Sequence, residues 1–159
     1  MKRRFEEIKS YLIKHENIAD LGIGKGYYYS GVDIKNVVGV DLDHKNLERV
    51  KRDHPKIEVI EKDVRNTGLP DKSFDLVVIT QVIEHFEDYI PVVKEAKRIC
   101  KDDGYFLIGV PIEEYDKFNF YPVWTEDKAR LLANEFGDII DIKNLESCWL
   151  MYIKNGGTI

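Results

Sequence analysis

Three glycines and two aspartates form the clearest chemical pattern in this chain. Gly22, Gly24 and Gly26 follow a short apolar run, and a residue without a Cβ atom lets a ligand approach the backbone closely. Asp41 closes a second apolar run, and Asp63 follows a third, 22 residues after Asp41. A glycine turn followed by acids at successive strand ends is how an open parallel sheet binds a nucleoside at its carboxyl edge. The pattern therefore predicts a nucleoside-containing ligand.

The spacing of the glycines distinguishes two kinds of nucleoside ligand. Dinucleotide folds use Gly-x-Gly-x-x-Gly, in which the last glycine lets a helix start pack beneath a pyrophosphate. Here Tyr27 occupies that last position, and residues 27–35 predict only one or two helical turns. A ligand without a pyrophosphate needs neither feature, and S-adenosyl-methionine is such a ligand. A nucleotide-binding oxidoreductase fragment is the disfavoured alternative.

With these motifs the chain resembles class I S-adenosyl-methionine-dependent methyltransferases, of the small soluble type that acts on metabolites, lipids or proteins. Five blocks carry the resemblance in order and at family spacing, namely 17–26, 38–41, 63–75, 82–85 and 99–111. The resemblance implies a Rossmann-like methyltransferase fold. It also implies S-adenosyl-L-methionine as cofactor and S-adenosyl-L-homocysteine as product.

Four residues are expected at the adenosine end of the ligand. Asp41 can accept hydrogen bonds from both ribose hydroxyls, with Leu42 beside it. Asp63 can accept a hydrogen bond from the exocyclic amine of adenine, and the amide of Val64 can donate to a ring nitrogen. Taken singly, either aspartate could be only a strand-end turn residue, because aspartate favours such positions.

Five residues are expected at the amino-acid end. Asp20 is placed to order the turn and face the ammonium group, and Gln81 to lie under the methionine arm. Gly22 and Gly24 allow backbone amides to approach the carboxylate and the sugar. Gly26 could instead be a plain helix-entry residue.

His85 is the one histidine near the predicted site, and two roles are open for it. It could act as a general base on a substrate hydroxyl or amine. It could equally pack and hydrogen-bond where strand turns into helix. Since methyl transfer mainly needs alignment, the absence of a catalytic dyad does not argue against an enzyme. A non-catalytic module that keeps the fold to scaffold a partner is the second hypothesis.

Several features of the sequence argue against particular kinds of methyl acceptor. The formal net charge of −5 and the lack of a long basic run disfavour nucleic acid. The stretch 79–82 lacks the Asp/Asn-Pro-Pro-aromatic turn that holds an exocyclic base amine. Cys100 and Cys148 lie away from the position of a cytosine-methylating nucleophile and are expected to be buried, reduced thiols. No spacing predicts a metal site. The remaining partner is a small-molecule or exposed-group acceptor, at an O, N or S atom.

Length and composition predict one soluble, cytoplasmic domain that spans residues 1–159, without a membrane segment. An amphipathic helix is expected over 2–15. Strands are expected over 18–21, 37–41, 57–61, 74–80, 105–110, 138–143 and 147–154. Between them, helices are expected after a cap at Asp43, over 88–101 with Gly104 as its stop, and after a cap at Thr125. The predicted class is an α/β three-layer sandwich, with a mostly parallel seven-stranded sheet and an antiparallel C-terminal strand.

Residues 112–124 form an irregular segment dense in aromatic residues. It contains Tyr115, Phe118, Phe120, Tyr121 and Trp124. We expect it to be a substrate lid, since binding loops often sit on rigid scaffolds. A hydrophobic cover or the surface of a homodimer is the alternative. Because the segment is short, either the acceptor is small or exposed, or a second subunit completes the pocket.

Overall fold

The computed structural model describes residues 2–112, 123–145 and 147–156. Within these ranges seven strands form one sheet: β1 (Asn17–Leu21), β2 (Asn36–Asp41), β3 (Glu58–Glu61), β4 (Phe74–Thr80), β5 (Cys100–Pro111), β6 (Gly137–Asn144) and β7 (Cys148–Asn155). The α-helices are α1 (Lys2–Leu12), α2 (His44–Asp53), α3 (Ile90–Ile99) and α4 (Glu126–Phe136). Short 3₁₀ helices, Tyr27–Tyr29 and Ile83–His85, lie after β1 and β4.

The strands pair in the order β3-β2-β1-β4-β5-β7-β6. β7 runs antiparallel to both of its neighbours, and the other strands run in one direction. The predicted fold class is therefore confirmed. The order of the strands along the chain reverses between β1 and β4. In sheets of this kind, ligands bind in the crevice at the carboxyl ends of the strands next to such a reversal.

Helices cover both faces of the sheet, which makes three layers. Along β1, Ala19 and Leu21 pack into the cluster that contains the buried side chains of α3 and α4. Ile18 packs into the opposite cluster, with those of α1 and α2. Because they are buried on both faces, the central strands are largely apolar, and residues 76–79 of β4 form an unbroken apolar run. This explains why the run of β4 was recognisable from its residues and has the predicted bounds.

The predicted N-terminal caps of two helices are confirmed. The Asp43 carboxylate accepts a hydrogen bond of 2.8 Å from the amide of Lys45, at the start of α2. The Thr125 hydroxyl accepts one of 3.4 Å from the amide of Lys128, at the start of α4. A side-chain oxygen at this position satisfies an amide that the first helical turn leaves unpaired.

The predicted end of the third helix was wrong. α3 ends at Ile99, and Gly104 lies inside β5 instead of stopping a helix. The amides of Lys72 and Ser73 donate hydrogen bonds of 2.9 Å to the carbonyls of Arg98 and Ile99, so the loop before β4 satisfies the helix end. A Cβ atom on Gly104 would lie 2.6 Å from the sulfur of Cys100. Glycine is therefore required here for close packing.

Two other segments differ from the prediction or fall partly outside the structure. α1 ends at Leu12, one turn earlier than expected. Of the predicted lid, residues 113–122 lie outside the described residues, so the proposed role of that segment stays a prediction. Trp124, at its end, is buried beside Tyr89, and its carbonyl accepts a hydrogen bond of 2.8 Å from the Trp149 indole.

Candidate functional site

The turn after β1 has a backbone that favours glycine at three positions. The φ values of Gly22, Gly24 and Gly26 are 82°, 55° and 65°, in the left-handed region that residues other than glycine rarely adopt. A Cβ atom on Gly22 would come within 2.4 Å of a methyl carbon of Val82, whereas Gly24 has open space at that position. Gly22 therefore allows close packing, and Gly24 leaves room for a ligand.

Asp41 is held by the glycine turn. One oxygen, Oδ2, accepts a hydrogen bond of 2.8 Å from the amide of Gly24, and Oδ1 accepts one of 2.8 Å from the amide of Asp43. The carboxylate is thus fixed at the end of β2. Each oxygen retains acceptor capacity for a further donor.

Asp63 lies in the loop after β3 and is paired with Arg65. The guanidinium forms a fork, with Nε 3.0 Å from Oδ1 and a terminal nitrogen 2.6 Å from Oδ2. The pairing with Arg65 holds the pKa of the Asp63 carboxyl below its usual value. The carbonyl of Asp63 accepts a hydrogen bond of 3.0 Å from the amide of Asn66, which closes a turn. Val64 lies at the second position of this turn, where the closing hydrogen bond does not use its amide.

Both aspartates line one cavity of about 360 Å³, here called the acidic cleft. Eight of the predicted site residues line it: Gly22, Gly24, Asp41, Leu42, Asp63, Val64, Gln81 and His85. Asn46, Val82 and Phe86 complete the lining and were not predicted. Asn46 had a usable signal, since it lies in the first turn of a helix that begins at the ligand-binding edge of the sheet.

A second cavity of about 200 Å³, here called the basic cleft, adjoins the first. The two clefts share Gly22, Gly24 and Gln81. The basic cleft contains Gly26, and its lining includes the cations Arg4 and Lys25 but no carboxylate. The aromatic side chains of Phe5, Tyr27 and Tyr28 and the side chain of Thr80 also line it.

Asp20 lies behind the basic cleft and lines neither cavity. Its side chain is fully buried, and Oδ2 accepts hydrogen bonds of 2.6 and 2.8 Å from the hydroxyls of Tyr28 and Tyr29. Within the described residues, Oδ1 has no hydrogen-bond partner. Burial raises the pKa of this carboxyl to about 7, although both tyrosine hydroxyls favour the charged form.

The segment after β4 brings three polar residues to the junction of the sheet and its flanking layer. Gln81 has a φ of 59°, and its amide donates a hydrogen bond of 2.8 Å to the carbonyl of Gly109. Its side-chain Nε2 is buried without a partner in the described chain. Glu84 is buried with Oε2 likewise unpaired, and burial raises its pKa to about 7. His85 is exposed at the acidic cleft instead of packed at the bend.

Other reactive groups do not form a site in the described chain. Cys100 and Cys148 are buried and not disulfide-bonded, and burial raises the pKa of the Cys100 thiol to about 12. No group of three or more potential metal ligands occurs among residues 2–112, 123–145 and 147–156. No helix in the same ranges is long and apolar enough to cross a membrane.

Comparisons with known proteins agree on the family. A family profile described as a methyltransferase domain matches residues 19–108, more than half of the chain. A protein of Mycolicibacterium smegmatis named as a probable S-adenosylmethionine-dependent methyltransferase is 32% identical over 100 residues. The alignment covers 60% of this chain and 38% of that protein. The chain thus spans less than two fifths of the length of this curated relative.

Solved structures share the fold at low sequence identity. A methyltransferase of Aquifex aeolicus described as SAM-dependent has a TM-score of 0.75 and 17% identity, covering 95% of this chain and 89% of that one. The N-methyltransferase NodS of Bradyrhizobium japonicum, in complex with S-adenosyl-L-homocysteine, has a TM-score of 0.78 and 15% identity. The match covers 97% of this chain and 86% of the NodS chain. At these identities the likeness concerns the fold alone.

Proposed function

The chain belongs to the class I S-adenosyl-methionine-dependent methyltransferase family, and we propose that it binds S-adenosyl-methionine across the two clefts and transfers the methyl group to an acceptor. One observation carries this proposal. Asp41, at the end of β2, and Asp63, in the loop after β3, line a single cavity together with the glycine turn. Two carboxylates suit the two donor groups of adenosine, the ribose hydroxyls and the exocyclic amine.

The acidic cleft suits the adenosine part of the ligand. Asp41 retains acceptor capacity for ribose hydroxyls while backbone amides hold it in place. Asp63 presents Oδ2 for one amine N–H, and the unused amide of Val64 can donate to a ring nitrogen. Leu42 and Phe86 supply apolar surface in the same cavity. Its volume of about 360 Å³ falls within the range of small-molecule sites.

The basic cleft suits the amino-acid part of the ligand. The guanidinium of Arg4 and the donor Nε2 of Gln81 are complementary to a carboxylate. Asp20 is fully buried behind this cleft and lines neither cavity, so it can act on an ammonium group only through space. Buried polar atoms without partners are uncommon in native structures and call for an explanation. A ligand carboxylate would explain the unpaired donor of Gln81.

The sulfonium of the bound ligand would supply the methyl group, and the thioether of S-adenosyl-homocysteine would be the leaving group. The residues of this chain then have to align the acceptor with the sulfur–methyl axis and exclude water. Such positioning can supply roughly 7–11 kcal/mol of the barrier. Gln81 lines both clefts and therefore lies where the two parts of the ligand would meet. His85, at the rim, is the proposed base for an acceptor that must lose a proton.

The acceptor is proposed to be an O, N or S atom on a small molecule or an exposed group. The net charge of −5 supports an acceptor other than nucleic acid. A cytoplasmic location and a homodimer stay predictions.

Isothermal titration with S-adenosyl-methionine and with S-adenosyl-homocysteine tests the proposal. We expect saturable binding of both, and no comparable binding of NADH. Absence of binding to both adenosyl ligands would overturn the proposal, and tight NADH binding would favour an oxidoreductase. A screen of small-molecule acceptors that follows release of S-adenosyl-homocysteine then separates an enzyme from a scaffold. Acceptor-dependent product excludes the scaffold.

A further inference from the structure

Arg65 occupies most of the acceptor capacity of Asp63. Its backbone amide donates a hydrogen bond of 2.8 Å to Oδ1, and its guanidinium donates to both oxygens. A carboxylate offers about four acceptor positions. Three are used by Arg65, so about one position is left, on Oδ2. The orientation of the carboxylate and the position that a ligand can use are therefore both set by Arg65.

Arg65 also contacts a second wall of the acidic cleft. Its guanidinium carbon lies 5.2 Å from the centre of the Phe86 ring, in cation–π geometry. Asp63 and Phe86 both line the acidic cleft, whereas Arg65 does not. The arginine therefore lies outside the cavity and links the loop after β3 to the segment after β4. One side chain fixes a polar edge and an aromatic face of the same cavity.

The pair does not have the character of a stabilising ion pair. The side chains of Arg65 and Asp63 are 49% and 32% exposed. Solvent screens such pairs, and they contribute little to folding stability. Orientation of Asp63 is therefore the main consequence of the contact.

We propose that Arg65 is a positioning residue that makes the acidic cleft selective for a 6-aminopurine over a 6-oxopurine. The inference depends on the proposed function, because it assumes that adenine binds against Asp63. An ionised carboxylate only accepts hydrogen bonds, so it pairs with the exocyclic amine of adenine and repels the carbonyl oxygen of hypoxanthine. The pairing that lowers the pKa of Asp63 also fixes Oδ2 in place. Discrimination between the two bases should therefore decrease when the fork is lost.

The test compares two ligands that differ at position 6 of the base and, as a consequence, at N1, which is an acceptor in adenine and an N–H donor in hypoxanthine. S-adenosyl-homocysteine and its deaminated analogue, S-inosyl-homocysteine, are titrated calorimetrically into the unsubstituted protein and into Arg65→Met and Arg65→Lys. We expect the unsubstituted protein to prefer the adenosyl ligand. In Arg65→Met the affinity ratio should fall on the order of tenfold, the scale of one hydrogen bond to a charged group. Arg65→Lys keeps the charge without the fork and should give an intermediate ratio.

Arg130→Met is the matched control, because Arg130 pairs with Glu126 on α4 and lines neither cleft. It should leave the ratio unchanged. Equal weakening of both ligands in Arg65→Met, with a lower melting temperature, would show a merely structural role and overturn the inference. An unchanged ratio would do the same while leaving the proposed function intact. If the unsubstituted protein bound neither ligand, both would be overturned.

Discussion

The amide of Gly24 donates a 2.8 Å hydrogen bond to Oδ2 of Asp41 and so joins the turn after β1 to the end of β2. The same turn contacts β2 through the amide of Gly22, which donates a hydrogen bond of 2.7 Å to the carbonyl of Val40. The turn and the carboxylate therefore form one rigid unit. Preorganisation of this kind reduces the cost of ordering side chains when a ligand binds.

Replacing Asp41 with alanine should weaken the binding of S-adenosyl-homocysteine by at least about tenfold. The ribose would lose charge-assisted hydrogen bonds, which are worth about 1.5–3 kcal/mol each. Titration calorimetry measures the change. Asp138→Ala is the control, since Asp138 is exposed on β6 and lines neither cleft. Equal affinities for the two variants would contradict the role assigned to Asp41.

Replacing Gly22 with alanine should lower the free energy of unfolding more than the same change at Gly68. Both glycines have positive φ, at 82° and 72°, which costs a side chain about 1–2 kcal/mol. Only Gly22 would also bring its Cβ atom within 2.4 Å of Val82, and overpacking adds about 1–3 kcal/mol. Urea unfolding of both variants measures the difference. Equal losses would mean that close packing is not what requires glycine at position 22.

Replacing Asp20 with asparagine should flatten the pH dependence of stability. The pKa of Asp20 is about 7 in the folded protein, against an ordinary value of 3.8. At a pH between these two pKa values, the folded state binds more protons than the unfolded state. The free energy of unfolding therefore falls as the pH rises from about 4 to about 7. Asparagine removes this contribution. Urea unfolding at pH 5 and pH 8 should show a smaller loss in Asp20→Asn.

Glu84 contributes in the same direction, because burial raises its pKa to about 7 from 4.5. A residual slope should therefore persist in the Asp20→Asn variant. Asp138→Asn, on the surface, should retain the full slope. If the Asp20→Asn variant lost as much stability as the unsubstituted protein between pH 5 and pH 8, Asp20 would not be the titrating group.

Replacing Gln81 with glycine should increase stability slightly while it weakens ligand binding. The φ of 59° at Gln81 costs about 1–2 kcal/mol, which glycine would not incur. The greater entropy that glycine gives the unfolded chain offsets about 0.5–1 kcal/mol of this gain. The side chain lines both clefts, so its removal should lower the affinity for S-adenosyl-homocysteine. Thermal unfolding and calorimetry measure the two effects. Lys72→Gly, at a φ of 48° and remote from both clefts, should relieve strain without changing affinity. A loss of stability in Gln81→Gly would contradict this reading.

Much of the fold could be predicted because burial dictates composition. β4 is buried on both faces and has an unbroken apolar run over residues 76–79, and the caps at Asp43 and Thr125 depend on local hydrogen bonds. Gly104 could not be assigned correctly. A glycine that stops a helix and a glycine that permits close approach look the same in a sequence, and only the neighbours in the folded chain, of which the Cys100 sulfur is the nearest, distinguish them.

The residues of the site likewise include some that the sequence predicts and some that it does not. Asp41 and Asp63 could be placed at one edge because the carboxyl ends of parallel strands meet there. The place of Arg4 in the site could not be predicted, because it reaches the glycine turn through the packing of Phe5 against Tyr27 and Tyr28. Long-range packing of this kind leaves no local pattern in the sequence. The environment of Asp20 likewise depends on tertiary contacts that follow from the fold.

A crystal structure of the complex with S-adenosyl-homocysteine tests the central claim most directly. We expect the ribose hydroxyls within hydrogen-bond distance of the Asp41 carboxylate and the adenine amine within the same distance of Asp63 Oδ2. The amino-acid end should lie in the basic cleft. An adenosyl group bound elsewhere, or one that contacts neither carboxylate, would contradict the account.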